Sequence, residues 1–355
     1  MKCISKFILF ILLAVILTSN SAAARPVTPG LNLDRLPEWE VTASSRGGTL
    51  LLSDSPEMVR GNGILYQDKV SGPVRLFFYH VNESQDVKKI AVLLTNSGKQ
   101  AAQVLVSQAT LGGPGNSWLQ VGKETQVAYF GEKQTYQFSI PPAGVMPLDA
   151  SLDETAIVPN MLVNGIYDFE VDQPVTVTVM MLPVTENSIA YARSAPVLAA
   201  DECHLRGTFA GANRQITPIQ AYDPSTGEAA GITLADNDFD PYVKGIDATD
   251  GSAALNYGNY GVVYQISLPS KKGGKISYYL APLGGGYAGA IGINHPEVNW
   301  SPVITPRDRL YFGDIHKRDW EFLGTYDSGD PLSFIFSPPG ASNLPVKIVI
   351  VPHAG

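Results

Sequence analysis

Val175, Val177 and Val179 alternate with Thr176 and Thr178, and the segments 90–94, 103–107 and 346–351 follow the same period of two. Successive side chains of a strand face opposite sides, so this alternation predicts strands with one face on a core. Pro- and Gly-bearing breaks separate the segments, as turns separate the strands of a sandwich. A helix on a water-facing surface needs Glu, Lys and Arg stripes at helical spacing, and none of any length is found. The pattern predicts an all-β protein.

The first residues depart from it. Lys2 and Lys6 precede an unbroken apolar run, Phe7 to Leu17, and Ala22-Ala23-Ala24 follows as a small-residue cleavage pattern. These are the three parts of a secretory signal peptide over residues 1–24, with Arg25 as the expected mature N-terminus. The competing reading is a retained N-terminal anchor, but the run falls well short of the roughly twenty residues a spanning helix needs. Cys3 lies before the run, where it cannot be the lipid-modified cysteine of a bacterial lipoprotein. No later stretch is long and apolar enough to span a bilayer. The mature chain is expected outside the cytoplasm, secreted or in the cell envelope, without a transmembrane segment.

Loss of residues 1–24 leaves 23 basic and 33 acidic side chains, a net charge of −10. Such a chain has no electrostatic footprint for nucleic acid and no polybasic membrane anchor. It keeps one cysteine, Cys203, so no intrachain disulfide can form and burial alone must stabilise it. Cys203 reads as a small buried hydrophobe. On a strand, Cys203 and His204 would face opposite sides and could not act as a nucleophile–base pair.

Short segments recur in the same order in the two halves. Gly63-Ile64-Leu65-Tyr66-Gln67 is echoed by Gly261-Val262-Val263-Tyr264-Gln265, and Val74 to Tyr79 by Lys275 to Leu280. Gly112 to Gly115 is matched by Gly284 to Gly286, Tyr129-Phe130-Gly131-Glu132 by Tyr311-Phe312-Gly313-Asp314, and Gly165 to Asp168 by Gly324 to Asp327. The order suggests two tandem β-sandwich domains. The expected division is a linker at 25–49, a first domain at 50–185, a linker at 186–205 and a second domain at 206–355. The rival reading is two unrelated sandwiches, or one large one, sharing only strand–turn composition.

Residues Gly63 to Tyr79, Ala91-Val92-Leu93-Leu94-Thr95-Asn96, Val121-Gly122-Lys123 and His204 to Phe209 carry a resemblance. They look like exported proteins of Gram-positive-type and related bacteria that often bear a copper-amine-oxidase-N-terminal-like stalk domain. The likeness covers about residues 50–215, and it implies no activity. The stalk domain itself is not apparent. Oxidase chemistry does not follow either. The setting Ala253-Ala254-Leu255-Asn256-Tyr257-Gly258 lacks the Thr and the acid that surround a cofactor-forming Tyr, and no His-x-His pair is present to hold copper.

Candidate chemistry is sparse. Asp236, Asp238, Asp240 and Asp247 stand at positions one, three, five and twelve of a calcium-loop spacing, so Ca²⁺ is the candidate cofactor. Pro241 replaces the glycine of position six, and a solvated acidic loop is the competing reading. The five histidines do not form a transition-metal pattern. Nucleophile-elbow, zinc-protease and phosphate-loop motifs are missing, and Gly284 to Gly289 lies in a β context where it reads as a turn. Trp118, Trp300 and Trp320 lie beside Gly-, Pro- or charge-rich segments. Such rings either stack on a sugar or plug the end of a sandwich core.

The reading that follows is a non-enzymatic, exported β-sandwich module that binds envelope carbohydrate or protein. The alternative is an exported hydrolase acting on envelope glycans, which would show carboxylates in a deep pocket.

Overall fold

The computed structural model describes residues 30–131, 133–296, 300, 302–314 and 318–353, and these fold mostly as strands. The signal-peptide reading falls on residues outside that set. The first half runs β1 (Val41–Arg46), β2 (Thr49–Ser53), β3 (Met58–Val59), β4 (Gly63–Asn82), β5 (Lys88–Thr95), β6 (Ala102–Gly115) and helix α1 (Trp118–Phe130). It continues through β7 (Tyr136–Ile140), β8 (Val145–Pro147), α2 (Ser151–Glu154) and β9 (Leu162–Pro183), then α3 (Ser188–Ala192). The second half begins with β10 (Arg206–Ala210), β11 (Asn213–Pro218), β12 (Ala230–Leu234), β13 (Lys244–Ile246), β14 (Ala253–Leu255) and β15 (Val263–Ser267). It ends with β16 (Lys275–Pro282), β17 (Gly289–Asn294), β18 (Pro302–Thr305), β19 (Glu321–Asp327), β20 (Ser333–Phe336) and β21 (Val346–Pro352).

The long antiparallel pair β4–β9 organises the first half. Its register shifts between Val70 and Gly72, where Gly72 takes a φ of +73° that an L side chain would resist. Beyond that irregularity β9 pairs with β5 on one stretch and with β6 on the other. One core lies wholly within this half and includes Leu65, Leu76, Phe78, Val92, Val106, Phe169 and Val177. The second half contributes a four-stranded sheet, β12-β21-β16-β19, and most of a six-stranded one, β1-β11-β15-β20-β17-β18.

A second core spans both halves. Phe77, Tyr79 and Val81 leave the opposite face of β4 and pack with Ile266, Phe334 and Ile350. This explains why Val74-Arg75-Leu76-Phe77-Phe78-Tyr79 is nearly continuous in apolar character, since both faces of the strand are buried. Were the halves apart, the Phe77 face would lie in water, at about 1.5–3 kcal/mol for each large side chain.

The halves expected to fold as separate sandwiches are therefore joined. β1 pairs antiparallel with β11, and β2 with β10. Arg75 of β4 donates from Nη1 to the carbonyls of Ala212 (2.5 Å) and Gly261 (3.3 Å) while pairing with Asp168 at 2.7 Å. From Leu31 onward the chain forms one compact unit. The segment 186–205 marks the passage from one core to the other, and residues 25–49 include β1 and not only a linker.

The echoed segments do not occupy equivalent places. Gly63 to Gln67 and Val74 to Tyr79 lie on the single strand β4, whereas their partners lie at the start of β15 and on β16, in different sheets. Tyr129-Phe130 closes helix α1, while Tyr311 and Phe312 lie in a loop beyond β18. Short Gly–aromatic strings specify local structure and little beyond that.

Helix α1 is the element the pattern does not predict. Its polar face is not a solvent stripe, because Thr125 and Gln126 are buried at 1% exposure each. Gln126 Oε1 accepts from Ala290 N at 2.6 Å, tying the helix to β17. Gly122 lets the helix touch the chain at Gly340: a Cβ there would stand 1.9 Å from the Gly340 carbonyl oxygen.

Candidate functional site

Residues 53–57 run on from the end of β2, and their backbone and hydroxyl groups are held by several hydrogen bonds. His80 Nδ1 faces the Pro56 carbonyl oxygen at 2.9 Å and must donate to it, so Nε2 accepts from Ser53 Oγ at 2.9 Å. Burial holds that imidazole neutral, with its pKa lowered to about 4. Asp54 N donates to the Leu205 carbonyl at 3.1 Å, and Ser55 Oγ to Asp201 Oδ1 at 2.8 Å. Glu57 N donates to Asp201 Oδ2 at 2.8 Å, and the Glu57 carbonyl accepts from Val81 N at 2.8 Å.

What this frame leaves unbonded is the pair of carboxyl groups it carries. Asp54 is 9% exposed, and its Oδ1 is buried without a hydrogen-bond partner. Neither Asp54 nor Glu57 forms an ion pair among the described residues. Burial, then repulsion from Glu57 and Asp201, raises the Asp54 carboxyl well above its ordinary range. Glu57 is raised by burial and by Asp201. A rigid segment holding two uncompensated acids is what a site built for a ligand requires.

Both acids line an open cavity of about 270 Å³ together with Tyr79, Trp118, Tyr260 and the loop 340–343. Trp118 enters as the first residue of α1, and Tyr260 is fixed by its hydroxyl donating to the Ser342 carbonyl at 2.7 Å. Gly340 is required: a Cβ there would stand 2.8 Å from the Tyr79 ring and 2.9 Å from Asn164 Oδ1. That Asn164 oxygen is itself buried and without a partner. Glu57 also borders a second cavity of about 620 Å³, lined by Arg60, Glu83, Asp201 and Cys203.

Of the residues singled out from sequence, Trp118 reaches this site. Trp300 donates from Nε1 to the Phe130 carbonyl at 3.1 Å and lies against Gly292. Trp320 packs edge-on to Tyr279 at 6.1 Å in a small separate core. Trp320 is thus packed in a core, whereas Trp300 is 47% exposed, and neither lines the cavity that Trp118 enters. The fourth, Trp39, stacks edge-on with Tyr222 beside another cavity of about 310 Å³.

The aspartates 236, 238, 240 and 247 are not gathered around one point. Asp240 is buried, its Oδ1 3.0 Å from Arg214 Nη1 and its Oδ2 accepting from Tyr264 Oη and Ala235 N at 2.7 Å each. Burial still raises its pKa, with Arg214 and Tyr264 working against the rise. Asp247 pairs with Arg206 Nε at 2.6 Å. Asp236 Oδ1 accepts from Asp238 N and Asp240 N at 3.1 and 2.9 Å, and Asp238 is exposed. Among the described residues no group of three or more His, Cys, Asp or Glu side chains is placed to hold a metal ion.

Cys203, expected to be buried, is exposed. It lies in a turn rather than a strand, where its N–H and that of His204 donate to Asp201 Oδ1 at 3.1 and 3.2 Å. Burial and the acids Asp201, Glu57 and Asp54 raise its thiol pKa, which disfavours the thiolate.

No family model and no curated protein matches the chain. Among solved structures, rat MASP-1 CUB1-EGF-CUB2 is similar at 9% identity over 85% of this chain and 99% of that one, with a TM-score of 0.22. A Paenibacillus xanthan lyase aligns at 9% identity over 91% of this chain and 26% of its own, with a TM-score of 0.19. A β-porphyranase of glycoside hydrolase family 86 from Bacteroides plebeius aligns at 13% identity over 89% and 37%, with a TM-score of 0.15. Likeness this low carries no argument about function.

Proposed function

We propose that this protein is an exported β-sandwich module that binds carbohydrate in the cavity beside the core shared by its two halves. The observation that carries the reading is the placement of Trp118 in one cavity with Glu57 and Asp54, whose buried Oδ1 has no hydrogen-bond partner. A ring face and hydrogen-bonding acids are the two things a pyranose offers partners for: its apolar face stacks and its hydroxyls bond. The volume lies just below the roughly 300–1,000 Å³ of common small-molecule sites, so it suits one ring-sized group. The signal-peptide pattern at 1–24 supports export.

The acids also support the hydrolase reading, because two neighbouring carboxyl groups, one of them with a raised pKa, are the equipment of glycoside cleavage. One experiment separates the two. Mature protein is titrated calorimetrically with a panel of envelope-type oligosaccharides, and the same mixtures are followed for products. Binding without turnover, weakened at least about tenfold in Trp118→Ala, supports the module. Turnover lost in Asp54→Asn and Glu57→Gln supports the enzyme. No heat with any sugar rejects both.

A further inference from the structure

The walls of the cavity carry acceptors and rings but no cation. Its lining is Asp54, Glu57, Tyr79, Trp118, Leu205 and Tyr260 together with the loop 340–343, and no Lys, Arg or His is among them. The wall at Gly340 hides a further acceptor, Asn164 Oδ1, also without a donor. A neutral sugar would leave the buried Asp54 and the half-buried Glu57 uncompensated, and an anionic one would be repelled. A cation close to Asp54 would offset the charge that the fold leaves buried. Three aromatic rings around such a point favour the same sign, because the ring faces are negative.

We propose that the ligand carries a protonated primary amine, seated between the carboxyl groups of Asp54 and Glu57 and the rings of Trp118, Tyr79 and Tyr260. This rests on the carbohydrate-binding reading of the same cavity and names its chemistry: a hexosamine ring whose nitrogen is free rather than acylated. The raised pKa values of the two acids agree with it, since an empty cation site destabilises its own charged form. An alkylamine could supply the same charge without the ring, so the test includes one.

The test uses purified mature protein and calorimetric titration at pH 7. Three probes are compared: a glucosamine tetramer, its fully N-acetylated counterpart and 1,5-diaminopentane. The expected result is that the free-amine tetramer binds at least about tenfold tighter than the acetylated one, and that diaminopentane binds more weakly than the tetramer. Asp54→Asn should bring the two tetramers to similar affinity. Trp118→Ala should weaken both by a similar factor. A thermal melt shows whether each variant is folded, and Glu57→Gln repeats the charge test on the more exposed acid.

Equal or tighter binding of the acetylated tetramer would overturn the amine while leaving the carbohydrate reading in place. Binding of diaminopentane with neither sugar would overturn the ring and with it the carbohydrate reading. No binding of any probe would overturn the amine, and the broader sugar panel then decides the reading on which it rests.

Discussion

Two acidic regions of this molecule differ in how the fold treats them. The run Asp236 to Asp250 is dense in acids, yet its buried members meet arginines, Asp240 with Arg214 and Asp247 with Arg206. Asp236 spends its oxygens on backbone N–H groups of its own loop. At the end of β2, Asp54 and Glu57 stand three residues apart beside Asp201, and among the described residues neither of the two forms an ion pair. The buried acids of the crowded region are compensated within the fold, and the buried acid of the sparse one is not. Acid density in a sequence counts charges, whereas a site depends on charges left uncompensated.

The contrast can be broken most sharply at Arg206. Its Nε holds Asp247, and its Nη1 donates to the carbonyls of Leu198 at 2.8 Å and Leu65 at 3.2 Å. Arg206→Met should cost about 3–5 kcal/mol in urea unfolding, because it strands a buried carboxylate. A loss under about 1 kcal/mol would show that the aspartate loop does not depend on its arginine.

The opposite sign is expected at Asp54. A carboxyl raised by the fold is protonated more readily in the folded than in the unfolded state. Its ionisation therefore takes stability away as pH rises above the ordinary aspartate value of 3.8. Asp54→Asn should accordingly be more stable to urea than its parent at pH 8, because the amide carries no buried charge. At pH 4 the gain should largely vanish. A variant less stable than its parent at pH 8 would mean that Asp54 has a partner after all.

The smallest effect belongs to Asp238, which is exposed and bonds to nothing in its loop through its side chain. Asp238→Ala should stay within about 0.5 kcal/mol of the parent. Melting midpoints in excess calcium and in chelator should also coincide for the parent. A calcium-dependent rise abolished in Asp238→Ala would place an ion in the loop and reverse the comparison, since ligand binding stabilises by mass action.

The strand pattern was legible because alternation is local: Val175 to Val179 read as a strand and lie in β9. The loop chemistry at Asp236 was visible for the same reason, as a spacing. The arginines that answer it were not, because Arg206 and Arg214 reach it only through tertiary pairing. Helix α1 was hidden by the burial of Thr125 and Gln126, polar residues that solvent-facing logic would turn outward. Trp118 could be noticed as a ring beside a turn. Asp54 could not, since nothing in Ser53-Asp54-Ser55-Pro56-Glu57 tells that His80, Asp201 and Leu205 occupy the backbone and leave the carboxyls bare.

The pairing of β1 with β11 and of β2 with β10 has a consequence in time. A polypeptide made from its amino end presents β1 and Leu50-Leu51-Leu52 long before residues 206–218 exist. Those early strands must wait with open edges, and such edges invite pairing with another chain. Final closure is a late, long-range event, of the kind that slows folding. A chain threaded through a narrow pore would gain from that delay, since the lock is set only when its latter half has followed.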